Sequence, residues 1–384
     1  MIYLDNAATT PVLPAALEAA WPYLTAEFGN PSSTHELGLR ASNTLEDARA
    51  RCAKWLDVPA SDIVFTSGGT EGDNLAITGL ALANPRGKHI ITAPTEHEAV
   101  LETVRFLERV HGFEITWLSV NQQGQIDLAE LTSALRPDTT LVTLMLANNE
   151  VGTVHPLPEI IAAAHAVGAL VHTDAVQAAA WLDVRAGKNG TLLEGVDALT
   201  LSGHKLGAPK GSGLTFIRGR HAVEPLLHGG GQEFGSRSGT ENVAWAIALA
   251  TALEALPEPD AEAERVSALH DEFISAVTAA IPVAELTGSS DHRHPAIASF
   301  TCAGVNGETL LLELEQRGVI VSSGSACAAG SDEPSHVLLA CGIDPDIAQS
   351  SVRFSFSHHT TAEELHLAAA AFAEAVQAVQ QLGS

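Results

Sequence analysis

The sequence predicts an α/β fold: a large domain built on a mostly parallel seven-stranded sheet flanked by helices, followed by a smaller α+β domain. Three observations carry this. Between residues 62 and 217 short apolar runs alternate with helical spans, the pattern of a parallel sheet covered on its faces. At Pro257-Glu-Pro-Asp260 the composition turns acidic and proline-bearing, which marks a boundary. The chain's 384 residues also exceed what one hydrophobic core usually holds. The large domain is therefore expected over 14–257, with 1–13 and 258–384 forming the small one.

Residues 1–13, with Asp5-Asn-Ala-Ala-Thr-Thr-Pro11, read as a polar turn rather than an element. A helix is expected from about Ala15 to Leu24, ended by Gly29-Asn30-Pro31, which cannot continue it. Pro31-Ser-Ser-Thr34 offers cap residues for a long helix from about Leu37 to Leu56. The seven strands are expected at 62–66, 88–92, 114–119, 140–146, 169–173, 197–201 and 213–217. Past the boundary come a long helix over about 261–280, apolar runs at 296–302, 318–322 and 351–357, and helices at 307–316, 335–341 and 361–381.

The composition narrows the function. A net charge of −26, with 20 basic residues, argues against a nucleic-acid footprint, which needs clustered Lys and Arg. Met1-Ile-Tyr-Leu-Asp5 turns polar at once, unlike a signal peptide, and the alanine-rich stretch near Ala368–Ala375 is too short to span a bilayer. A cytoplasmic protein is expected. Cys52, Cys302, Cys327 and Cys341 are scattered without a CxxC pair, which argues against a disulfide framework.

The chemistry gathers at the carboxyl ends of the expected strands, where ligands sit in open α/β sheets. Ser202-Gly203-His204-Lys205 ends one run; Thr66-Ser-Gly-Gly-Thr-Glu71, Asn148-Asn149-Glu150 and Asp174-Ala-Val-Gln177 end three others. Gly68-Gly69-Thr70, opening a helix, suits a phosphate monoester, although Thr70 as a plain N-cap explains it equally. Asp174 can hold a proton on a ring nitrogen or merely cap a helix. His97 follows another strand and can stack on a planar group, whereas most of the 17 histidines read as solvated or core-edge residues. A lysine, an acid and a phosphate cradle are the set that pyridoxal 5'-phosphate requires. Arg353, isolated in an acidic protein, suits a substrate carboxylate or a salt bridge. Cys327 lies in Ser322-Ser-Gly-Ser-Ala-Cys-Ala-Ala-Gly-Ser-Asp332, whose small residues give it no apolar packing and fit a reactive thiol. The other three cysteines sit in apolar segments and read as core.

Together these segments resemble the cysteine desulfurases, pyridoxal-phosphate enzymes of the class-V aminotransferase family. The resemblance covers nearly the whole chain: Tyr3-Leu-Asp-Asn-Ala-Ala-Thr-Thr10, Gly29-Asn-Pro-Ser-Ser33, Ser67-Gly-Gly-Thr-Glu71, Asn148-Asn-Glu-Val-Gly152, Asp174-Ala-Val-Gln177, Ser202-Gly-His-Lys205, Arg237-Ser-Gly-Thr240 and Ser322-Ser-Gly-Ser-Ala-Cys327 stand in the family's order. It implies the fold type I of pyridoxal-phosphate transferases and a homodimer. Lys205 would carry the cofactor as a Schiff base and move the proton, His97 would stack on the ring, Asp174 would pair with its nitrogen and Gln177 with its phenolic oxygen. Gly69, Thr70, Ser202 and His204 would hold the phosphate, with Thr240 arriving from a second subunit. Asn149 would contact cofactor and substrate, and Arg353 the carboxylate of L-cysteine. Cys327 would take the sulfur as a persulfide, releasing alanine, and pass it to an iron–sulfur scaffold or thiolation protein. With such a scaffold it would share a transient iron–sulfur cluster. Phe234 departs from the family, standing where the glycine-rich loop often carries an arginine. A selenocysteine lyase or an aminotransferase on the same fold is the alternative, from which a thiol on the 322–332 segment distinguishes it.

Overall fold

In the computed structural model, which describes residues 1–84, 86–323 and 333–382, the chain opens with a two-residue strand, β1 (Ile2–Tyr3), where the sequence reads as a polar turn. The seven runs between 62 and 217 then become β2 (Ile63–Thr66), β3 (His89–Thr92), β4 (Glu114–Trp117), β5 (Thr139–Thr143), β6 (Leu170–Asp174), β7 (Ala198–Ser202) and β8 (Gly213–Ile217). They form one sheet in the order β2-β8-β7-β6-β5-β3-β4. Only β8 runs against its neighbours, β2 and β7; the other pairings are parallel. Every residue of β5, β7 and β8 is buried, as expected for strands covered on both faces.

A second, antiparallel sheet has the order β12-β10-β9, from β9 (Ala284–Leu286), β10 (Ile297–Cys302) and β12 (Val352–Ser355). The run expected at 318–322 contracts to β11 (Val319–Ile320), which pairs with β1 in parallel, while Ser322 makes a single antiparallel bridge to Arg353 of β12. Ile2 N–H donates to Gly318 O and Leu4 N–H to Ile320 O, which spends β11 on the amino-terminal segment. Helices Pro259–Ala280 and Ala362–Leu382 cover the small sheet, and Phe273, Phe300, Phe354, Phe356 and Phe372 fill the space between. Edge-on packing such as Phe273 against Phe354, with centroids 4.9 Å apart, holds this core.

Residues 4–13 bridge the two sheets. On one side Ser355 N–H donates to Leu4 O at 2.7 Å, Asn6 Nδ2 to Ser355 O at 2.9 Å and Ala7 N–H to Ser355 Oγ at 2.8 Å. On the other, Thr10 N–H donates to His204 O at 2.9 Å and Leu13 N–H to Gly207 O at 2.8 Å. The helix starting at Glu36 is capped not by Ser32, Ser33 or Thr34 but by His35, whose ring nitrogen accepts from Gly38 N–H at 3.2 Å. Among the described residues no helix is long and apolar enough to cross a membrane.

The glycine-rich loop after β8 is anchored by a buried ion pair. Arg49 in helix Glu36–Leu56 donates to Glu233 at 2.6 and 3.0 Å, with both side chains at most 3% exposed. Glu233 also accepts from Phe65 N–H at 2.9 Å, and Phe234 lies over the Arg49 guanidinium, 5.0 Å from its carbon. The aromatic residue at the position that departs from the family thus caps this ion pair. Glu233→Ala strands a buried guanidinium and is expected to lower stability by about 3–5 kcal/mol in urea unfolding. An effect below about 1 kcal/mol would show that solvent reaches Arg49.

Candidate active site

The carboxyl ends of β2, β5, β6 and β7 open into one cavity of about 260 Å³. Gly69, Thr70, His97, Asn149, Asp174, Gln177, Ser202, His204, Lys205 and Arg353 all line it, with Ala7 and Ala8 of the bridging segment and Asp73.

Lys205 closes the short 3-10 turn Gly203–Lys205 that follows β7. Its Nζ donates to Ala8 O at 2.7 Å and to Ala7 O, so the amino-terminal segment holds the amine in place. Gln177 Nε2 donates to the same Ala7 O at 3.0 Å. His204 Nδ1 meets Thr9 Oγ1 at 3.1 Å, and burial, with Lys205 and Lys210 nearby, lowers the ring pKa to about 4. It is a neutral imidazole at physiological pH.

The helix after β2 starts at Gly69, with Gly68 rather than Thr70 at the N-cap and no side chain capping it. Gly68 has φ +153°, a conformation L residues rarely adopt, and a Cβ there would point at Ser202 Oγ, 3.8 Å away. A Cβ at Gly69 would meet Val176 Cγ2 at 3.0 Å. These two glycines keep open a concavity between a helix N-terminus and Ser202, the setting in which anions bind.

Asp174 ends β6 and is 8% exposed; its Oδ1 accepts from Val176 N–H at 2.8 Å. Burial raises its pKa, while His97, the Val176 N–H and Lys205 pull it down. His97 occupies the N-cap of helix Glu98–His111, its Nδ1 accepting from Ala99 N–H at 3.1 Å. In the neutral ring the proton therefore sits on Nε2. Asp174 caps a turn rather than the helix offered as its plain reading, His97 takes an N-cap role that the sequence reading did not anticipate, and both line the cavity.

Arg353 in β12 is 2% exposed. Its Nη1 donates to Asn149 O at 2.8 Å and its Nη2 to Ser322 Oγ at 2.9 Å and Asp5 Oδ1 at 3.2 Å. The salt bridge anticipated as an alternative is present, yet the buried Nε has no hydrogen-bond partner among the described residues. A guanidinium held through Nη1 and Nη2 with an unsatisfied Nε–H retains the capacity to bond a further acceptor such as a carboxylate.

Thr240 lies elsewhere, exposed on the glycine-rich loop beside Thr66, Ser67 and Arg237. Cys327 lies outside the described residues, so neither the thiol nor its iron–sulfur ligation has a geometry here. Cys52, Cys302 and Cys341 are buried, and burial pushes their thiols up to about 12, 12 and 11, as suits core residues.

The class-V aminotransferase family profile matches residues 2–367. A cysteine desulfurase IscS of Dictyoglomus turgidum is 45% identical over 367 residues, covering 95% of this chain and 92% of that one. A cysteine desulfurase of a Nostoc species is 43% identical over 383 residues, covering 100% and 94% of the two chains. Among solved structures, a NifS-like protein superposes with a TM-score of 0.88 at 36% identity, over 97% of this chain and 98% of the other. SspA in complex with cysteine superposes with a TM-score of 0.81 at 35% identity, over 94% of this chain and 100% of that one.

Proposed function

Because the chain belongs to the class-V aminotransferases and, among them, to the cysteine desulfurases, we propose that it converts L-cysteine to L-alanine with pyridoxal 5'-phosphate and places the sulfur on Cys327 as a persulfide. The observation that carries this reading is the single cavity joining Lys205, Asp174, the Gly68-Gly69 turn and the partly unsatisfied Arg353. The cofactor fits these residues: an amine to bind its aldehyde, a carboxylate for its ring nitrogen, and a glycine-opened helix N-terminus for its phosphate. When bound it supplies an electron sink that acidifies the substrate α-proton and loosens the Cβ–S bond.

The remaining work falls to this chain's side chains. Arg353, whose Nε–H is unsatisfied among the described residues, holds the substrate carboxylate, with Asn149 beside it. Lys205 Nζ takes the α-proton and delivers it within the site, a short transfer because two backbone carbonyls fix the amine. His97 would stack on the cofactor ring, Ser202, His204, Gly69 and Thr70 would hold its phosphate, and Gln177 would pair with its phenolic oxygen. The Cys327 thiolate attacks the substrate sulfur. One S–S bond forms and the Cβ–S bond breaks; the sulfur is oxidised, carbon is reduced, and Cβ gains a proton as alanine leaves. No outside oxidant or reductant enters. The acceptor of the persulfide sulfur is a second protein of iron–sulfur assembly or thiolation type. We take 14–257 as the cofactor domain and the remainder as the domain that presents Arg353 and Cys327.

Incubating the protein and cofactor with L-cysteine should yield alanine together with a mass increase of one sulfur on the Cys327 peptide. Pyruvate or a keto acid in place of alanine would point to transamination or elimination and overturn the reading.

Thr240 belongs to the partner's site in this account, and a homodimer follows. A Lys205→Ala subunit paired with a Thr240→Val subunit should form one intact and one doubly impaired site. Activity should therefore reappear on mixing. Heterodimers that form without regaining activity would remove Thr240 from the opposite site.

A further inference from the structure

Beneath the cofactor cavity the chain buries more carboxyl groups than the chemistry above uses. Asp73, Glu96 and Asp174 are 1%, 0% and 8% exposed, and Asp73 lines the cavity. Gly72 brings Asp73 there. A Cβ at residue 72 would stand 2.6 Å from Thr200 Cγ2 and 2.7 Å from Thr215 Oγ1, so its absence lets helix Gly69–Ala83 lie against β7 and β8. The neighbouring side chain then enters the interior. Asp73 bonds the Thr200 side chain, but its Oδ1 has no hydrogen-bond partner among the described residues. His172 Nε2, at 3.6 Å, is beyond bonding distance. That ring is committed to Thr143 Oγ1 at 2.9 Å and Thr200 Oγ1 at 3.1 Å.

We propose that Asp73 carries a proton at neutral pH and acts as a positioning residue for Asp174, a neutral acid backing the ionised carboxylate that faces the cofactor ring. This rests on the cavity being the cofactor site. A buried carboxylate persists only with a cation or several donors around it, and Asp73 has a single hydroxyl. The groups that face it are Asp174 and His172 on β6 and Glu96 ahead of helix Glu98–His111. None is a cation: burial drives His172 down to about 3, and two are acids. Burial and the neighbouring Asp174 both push the Asp73 carboxyl well above the usual range, and burial pushes Glu96 the same way. Asp174, by contrast, has the Val176 N–H and faces His97 and Lys205, so the charge settles there. A second anion behind it would hold the Lys205 amine protonated and blunt it as a base.

The test compares infrared spectra of the cofactor-loaded wild type and Asp73→Asn at neutral pH. The wild type should show a buried protonated-carboxyl stretch that the variant lacks. The pH midpoint of the visible cofactor band should move by less than about 0.3 pH units, because one neutral group replaces another. An ionised Asp73 would give no such stretch and a downward move of about one unit or more, since removing a nearby negative charge destabilises a cation. If Asp73→Asn does not fold, Asp73→Ser serves the same subtraction. A wild type that takes up no cofactor would refute the cofactor reading instead. The infrared comparison on cofactor-free protein would still decide the proton on Asp73.

Discussion

Lys205→Ala is expected to yield a folded protein without the visible band of lysine-bound cofactor and with turnover reduced at least about 10³-fold. General acid–base transfer alone accounts for roughly 10²–10⁴ in rate, and in the proposed function the same amine also binds the cofactor. The fold should survive. Removing the side chain deprives Ala7 O and Ala8 O of a donor, yet Gln177 Nε2 still serves Ala7 O, so the structural cost is about 1–3 kcal/mol. Absorbance spectra with added cofactor and an alanine assay read both effects. A variant that keeps turnover, with a reducible link to a different lysine, would sink the assignment.

Cys327→Ser separates sulfur transfer from everything before it. Cofactor binding and the spectral change on adding cysteine depend on Lys205, Asp174 and Arg353, and should persist. Persulfide formation should vanish, and single-turnover alanine should fall by at least about 10³-fold. A serine hydroxyl is scarcely ionised at neutral pH and is a poor nucleophile toward a thiol sulfur. Rapid mixing with cysteine, followed by alanine assay and mass spectrometry, measures this. Alanine released at the wild-type rate would remove Cys327 from the mechanism and favour a lyase that uses no protein thiol.

The large sheet was legible because most of its strands are short, buried apolar runs, and helices separate several of them. Such runs, bounded by turns and helices, stand out in a sequence. The candidate cavity was legible for a related reason: its residues sit where those runs stop. What escaped were features joined across the chain. A two-residue strand such as Ile2–Tyr3 has no period, and only its pairing with Val319–Ile320 makes it an element. β9 escaped because Ala284-Glu-Leu286 is three residues long with a charge in the middle. Asp73 was missed because an aspartate in a helix reads as solvated. The signal was present nonetheless: Asp73 falls on the stripe of Ala76, Ile77 and Leu80, spaced as one helix face, all of them buried. A charge on an apolar stripe was the clue.

The bridging segment also dictates when the site can exist. Residues 2–7 are made well before their partners Gly318, Ile320 and Ser355, which lie more than 300 positions later. The large sheet can close around its helices while this segment still waits. Until β11 and β12 are made, the segment whose carbonyls fix Lys205 lacks its anchors at Ile320 and Ser355, and Arg353 does not yet exist. A half-synthesised chain thus lacks the pocket that would trap a reactive aldehyde. Chemical competence therefore waits on β12, long after the large sheet has been made.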